Sequence, residues 1–125
     1  MKKIILIILI ILNQSFICVA EIKILYKVEN QIITNIDIKN EYNYLIALNQ
    51  KLKSIDQDQM INIATESIIN ETIKKKEILK EFKNFDVNKD YIEVLIEKVY
   101  DNLNINSKEN FIKYLSLNNV ELDSV

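Results

Sequence analysis

Asp86, Asn88, Asp90 and Glu97 stand at the first, third, fifth and twelfth positions of a calcium-binding EF-hand loop, positions that supply oxygen ligands to a hard cation in that motif. The sixth position, where such a loop needs glycine for its sharp turn, is Tyr91. A plainer reading fits the same residues: Asn88 or Asp86 caps a helix that starts near Lys89, and Glu97 lies on its exposed side. The sequence therefore predicts a helix start here rather than a metal site. Glu66, Glu71 and Glu77, or Asp56 and Asp58, could be considered as an acid and base. With no pocket-forming loop and no partner nucleophile, they read as surface charges.

Composition narrows the chemistry further. The 125-residue chain has no glycine, proline or histidine, and its one cysteine is Cys18. A glycine-rich phosphate loop and a nucleophile elbow are thereby excluded, as are the usual general base and the usual zinc ligands. Catalysis would be left to carboxylates, lysines, hydroxyls and tyrosines, and no pairing among them stands out. No catalytic residue, metal or cofactor is expected in this chain. The formal charge is −2, with 16 basic and 18 acidic residues, and every basic residue is a lysine. Nucleic acid is not an expected partner, because phosphate binding rests on a basic surface and favours the bidentate arginine fork. The run Lys74-Lys75-Lys76 reads as a solvated helix face.

The pattern of apolar residues predicts the elements. Ile22, Ile24, Tyr26 and Val28 alternate with Lys23, Leu25 and Lys27, a period-two strand. Glu29-Asn30-Gln31 is a turn in which Asn30 is expected to take the left-handed conformation, and Ile32-Ile33 returns as the partner strand. Thr34 and Asp37 form a capping-box pair that opens a helix to about Lys53, with Ile38, Tyr42, Leu45, Leu48 and Leu52 as its stripe. Tyr44 and Ile46 widen that stripe, so this helix should touch neighbours on two sides. Asp56 and Gln59 open a second helix that can run through Phe82. Met60, Ala64, Ile68, Ile78, Leu79 and Phe82 share one face of it, while Ile69 and Ile73 lie roughly opposite. A helix apolar on two sides is expected to be buried between layers. A third helix spans about Lys89 to Leu103 with Ile92, Leu95, Ile96 and Val99 as its core face, and a fourth spans about Lys108 to Leu117 behind a Ser107 or Asn106 cap. The fold class is mainly α: a short amino-terminal β-hairpin followed by four or more packed helices. The apolar pattern resumes at Val120 and Leu122, and the chain is expected to be truncated at Val125.

The amino terminus reads as a secretory signal. Lys2 and Lys3 precede the apolar run Ile4 to Leu12, and polar Asn13, Gln14 and Ser15 lead to a small-residue exit at Ala20. The apolar run is shorter than the roughly 20 residues a spanning helix needs. Residues 1–20 are therefore expected to be cleaved, leaving 21–125 as one domain outside the inner membrane with no stable membrane insertion. Cleavage removes Cys18, so the domain must hold itself together by packing alone. It also removes two lysines, leaving 14 basic against 18 acidic residues.

The run from Lys27 to Ile38 resembles the opening of the amino-terminal domain of SurA-type periplasmic chaperones, a family related to the parvulin-like peptidyl-prolyl isomerases. In that opening a strand leads through a Val-Asn turn to an Ile-Thr pair and a helix with acidic first-turn residues. Glu66 to Ile73 is similar to the family's long second helix, Val87 to Asp90 to the lead into its third, and Phe111 to Leu117 to the helix before its next turn. The likeness covers nearly all of residues 21–125, and Glu29 stands where the family often has asparagine. It implies a periplasmic module that binds unfolded polypeptide, outer-membrane proteins above all. The isomerase domains of such proteins use histidines and glycine-rich loops, and this chain has neither residue.

Three functions follow as expectations. The first is a chaperone that shields extended apolar segments on surplus apolar surface, made by Tyr42, Tyr44, Ile46, Ile69, Ile73, Phe82 and Phe85. The second is the non-catalytic front part of a prolyl isomerase active only with further domains. The third is a structural domain whose second apolar faces form a homo-oligomer.

Overall fold

A computed structural model of the protein describes residues 21–82 and 88–125. Strands β1 (Ile24–Val28) and β2 (Gln31–Thr34) form an antiparallel hairpin. Helices α1 (Asn35–Leu48), α2 (Gln57–Glu81), α3 (Lys89–Asn102) and α4 (Lys108–Leu117) follow it, with 3₁₀ turns at Gln50–Ser54 and Leu122–Ser124. The expected class, a short hairpin leading into four helices, is the observed one.

The hairpin departs from its sequence reading in two places. Val28 pairs with Gln31, so the loop is the two residues Glu29 and Asn30, and Glu29 rather than Asn30 takes the positive φ, at 52°. Two-residue hairpin loops need left-handed backbone at their first central position to match the strand twist. The Glu29 carboxylate is also held there by the Lys76 ammonium of α2. Further along, the register breaks between Ile24 and Tyr26. Ile24 faces Thr34 and Tyr26 faces Ile33, which leaves Leu25 as the extra residue of a bulge. The simple alternation read from Ile22 to Val28 is therefore broken at Leu25.

Thr34 opens α1 through the expected reciprocal box. Its Oγ1 accepts from the Asp37 N–H at 3.3 Å, and the Asp37 carboxylate accepts from the Thr34 N–H at 2.7 Å. Asn35 ties the chain before β1 to this helix start: its N–H donates to the Lys23 carbonyl, and its Oδ1 accepts from the Lys23 N–H at 2.7 Å. α1 ends at Leu48, earlier than Lys53, because Asn49 turns extended and its side chain accepts from the Lys51 N–H to start the 3₁₀ turn. Asp56 caps α2 by accepting from Asp58 N–H at 3.1 Å, one residue short of the Gln59 position that a capping box would use.

Two apolar clusters hold the helices together. Ile33, Ile38 and Ala64 are buried with Val28, Tyr42, Leu45, Ile68 and Ile69 packed around them, which joins the hairpin, α1 and α2. Ala47, Phe111, Leu115 and Val120 form the other, which joins the end of α1 to α4 and the carboxy-terminal turn, with Ile96 and Val99 of α3 against it. α1 thus meets neighbours on two sides, as its wide apolar stripe requires. Tyr114 reinforces the second cluster by donating its hydroxyl to the Ala47 carbonyl at 2.8 Å.

α2 is not enclosed between layers along its whole length. Its 25 residues span about 37 Å, whereas the 14 residues of α1 span about 21 Å. The stripe that buries Met60 and Ala64 continues past the reach of α1 as exposed Ile78, Leu79 and Phe82.

Candidate functional site

The six described residues among the seven singled out by sequence are spread over α1 and α2 and differ in exposure. Tyr42 and Ile69 pack against the hairpin cluster and Tyr44 against the α4 cluster, and Ile46 is half-buried. Tyr42, Tyr44 and Ile69 therefore contribute mainly to packing. Ile73 is 44 % exposed and Phe82 59 % exposed, on roughly opposite sides of the projecting half of α2. Phe85 lies outside the described residues.

Exposed apolar surface is nevertheless extensive, and much of it sits where the sequence reading did not place it. Among the described residues, more large apolar side chains are exposed than hydrophobic ones are buried. One group lies on β1 and just before it, at Ile22, Ile24, Leu25 and Tyr26; a second lies on α2 at Ile73, Ile78 and Leu79; a third lies on α3 at Tyr91, Ile92, Val94 and Leu95. Ile92 and Leu95 belong to the expected core face of α3, but only Ile96 and Val99 reach the α4 cluster. Periodicity identified that stripe; it could not say that α4 covers only its carboxy-terminal half.

α1 divides two concavities. On one side a cleft of about 570 Å³ is lined by Asp37, Glu41, Glu71, Glu121 and Asp123 together with Tyr44. Glu41 is the most enclosed of these, at 8 % exposure, and its Oε1 accepts from the Ser67 hydroxyl at 2.6 Å. Burial raises its carboxyl pKa above the ordinary carboxylate range; the Ser67 hydrogen bond opposes that shift and the Glu71 charge adds to it. Burial likewise raises the Tyr44 phenol, with the Glu41 and Glu71 carboxylates acting in the same direction. Ser124 lies in the same lining with no lysine beside it, so the cleft presents chiefly negative charge. On the other side, a groove of about 440 Å³ runs between β1, α1 and the start of α2, walled by Leu25, Ile38, Tyr42 and Ile61 with Lys39 at its margin. Of these only Tyr42 was legible as a site residue. Leu25 read as the outward residue of a regular strand, and nothing in the local pattern marks the bulge that turns it here.

The calcium-loop spacing resolves as a helix start. Asn88 Oδ1 accepts from the Asp90 N–H at 2.9 Å, and α3 continues unbroken from Lys89 past Glu97, so Asp90 and Glu97 stand within one helix rather than in one loop. Asp86 lies outside the described residues. Residues 1–20, including the apolar run and Cys18, also lie outside them; no helix among the described residues is long and apolar enough to cross a membrane. No family model, curated protein or solved structure matches the chain.

Proposed function

We propose that the protein is a polypeptide-binding module of the SurA amino-terminal kind, acting in the periplasm on unfolded outer-membrane proteins. The observation that carries this reading is the surplus of exposed apolar surface on β1, the second half of α2 and α3. Leu79 and Ile73 are about half exposed, so covering what remains against a client contributes about 1 kcal/mol each, without directional demands on the client sequence. Several such sites used together give useful affinity for segments that share only apolar character. The excess of acid over base, 18 against 16, favours keeping such a surface dispersed in water. No nucleotide or metal is required by this mechanism, since the driving force is the release of apolar surface from water.

The test is the aggregation of a denatured outer-membrane barrel protein, diluted with and without the folded protein and followed by light scattering. Suppression is expected, and it should weaken when Ile73→Ser and Leu79→Ser are combined while helical circular dichroism stays unchanged. A well-folded protein that leaves the aggregation curve unaltered would sink the proposal.

A further inference from the structure

The two concavities flanking α1 have opposite electrostatic character. The cleft around Glu41 is lined by carboxylates, whereas the groove beside the hairpin has Lys39 as its single charged lining residue. Lys39 is exposed and makes no ion pair among the described residues. Its ammonium therefore stands at the rim of an apolar groove without a carboxylate partner among the described residues, in a chain whose acidic residues outnumber its basic ones. The groove's volume, about 440 Å³, falls in the ordinary range of ligand pockets, about 300–1,000 Å³.

A second feature coincides with the first. Leu25, which forms one wall, is the residue left without a cross-strand partner at the register break of β1. The extra residue of a bulge keeps its backbone groups out of the ladder. β1 also pairs with β2 alone among the described residues, so the strand's other edge is open for hydrogen bonding by an added strand.

Building on the polypeptide-binding reading, we propose that this groove is the seat of an extended apolar segment that carries a carboxylate. Its apolar side chains lie against Leu25, Ile38, Tyr42 and Ile61, its acidic group meets Lys39, and its backbone engages the unpaired groups of β1. The apolar walls supply most of the affinity, and Lys39 supplies the choice between acidic and basic segments.

The experiment uses short fluorescent peptides of alternating valine and threonine, blocked at both ends and carrying either one glutamate or one lysine. Their binding to the folded protein is followed by anisotropy. The glutamate peptide should bind about threefold to tenfold more tightly than the lysine peptide at low salt, and less so as salt rises. Lys39→Glu should invert that order without changing the circular dichroism, Ile61→Ser should weaken both peptides, and backbone N-methylation of the glutamate peptide should weaken it further. Equal binding of the two peptides, or an order that Lys39→Glu does not alter, overturns the proposal. So does a mass in light scattering that doubles with concentration and falls back in Ile61→Ser, which would make a second copy of the chain the occupant. If barrel-protein aggregation is suppressed equally by Lys39→Glu and Ile61→Ser but not by the Ile73→Ser, Leu79→Ser variant, the groove is the wrong seat while the module still holds clients. Failure of the unaltered protein in the aggregation assay removes the broader reading instead.

Discussion

Glu41 shows what one buried carboxylate does at an interface between two helices. It sits on α1, accepts from Ser67 on α2, and has the Glu71 carboxylate close enough to oppose its charge. A carboxyl whose folded pKa lies above the unfolded value of 4.5 binds its proton more tightly in the fold. Its contribution to stability therefore rises as pH falls through the folded pKa and is complete below the unfolded one. Glu41→Gln removes the ionisable group while its amide oxygen can still accept from Ser67. We expect the variant to be the more stable protein near neutral pH, with the difference shrinking as urea midpoints are measured at progressively lower pH. A difference independent of pH would exclude this account. Tyr114 gives a second measure at the same scale. Its hydroxyl donates to the Ala47 carbonyl and accepts from the Gln50 amide at 3.3 Å, so Tyr114→Phe should cost about 1 kcal/mol in denaturant unfolding.

Termination without glycine is the problem posed to the elements. α3 and α4 both solve it with asparagine: Asn104 and Asn119 take φ of 57° just after their helices. In α4 the Val120 N–H reaches back to the Leu115 carbonyl at 3.0 Å and the Asn119 N–H to that of Ser116 at 3.1 Å; Ile105 and Asn104 make the same pair of bonds to Tyr100 and Asp101 after α3. This is the Schellman arrangement, and it turns the following apolar residue inward. Val120 is buried in the α4 cluster and Ile105 packs against it. Asparagine tolerates left-handed backbone better than other residues with a Cβ, but glycine does so at less cost. Asn119→Gly should therefore stabilise the protein by up to about 1 kcal/mol, and Asn119→Ala should destabilise it by about 1 kcal/mol, read as opposite shifts in melting temperature. At the other end of α1, losing the Thr34 cap in Thr34→Ala should cost about 1 kcal/mol. These caps were legible to different degrees. Thr34 with Asp37 could be read directly, and Ser107 as one of two candidates beside Asn106, because a cap depends on residues a few positions apart. The left-handed residue of the hairpin could not, because the register of β1 against β2 decides whether Glu29 or Asn30 occupies the first loop position.

Across the whole molecule, α1 is the shared wall of two small clusters, and everything beyond its reach is thinly covered. The second half of α2 extends past α1, and only as far as Lys76 is it tied to the hairpin, by the ion pair with Glu29. Local stability follows local burial. Amides from Lys74 to Glu81 should accordingly exchange with deuterium well before those from Met60 to Ile68, where Met60 and Ala64 are buried. Uniform protection along α2 would mean that its exposed stripe is covered in solution. By contrast Phe111, fully enclosed in the α4 cluster and tilted against the Tyr100 ring at 5.9 Å, joins α3, α4 and α1. Phe111→Ala should cost about 3–5 kcal/mol.

The sequence by itself determined the elements and their order. Strand-like alternation before Val28, helical spacing after Thr34, the cap candidates ahead of Lys89 and Lys108 and the absence of glycine and histidine all act over a few residues, and physical rules at that range can be applied to a string of letters. It also determined which helix faces are apolar, including both sides of α2. Only the tertiary structure decided which of those faces are covered. Ile69 and Ile73 stand one turn apart and read alike, yet Ile69 packs against the hairpin cluster while Ile73 lies exposed. The difference comes from the length of α1 and the place where the hairpin crosses α2, quantities set by contacts between distant parts of the chain. The groove of Leu25, Tyr42 and Ile61 has the same origin: a bulge, a helix face and a helix start, none unusual alone, become one surface when folding brings them together.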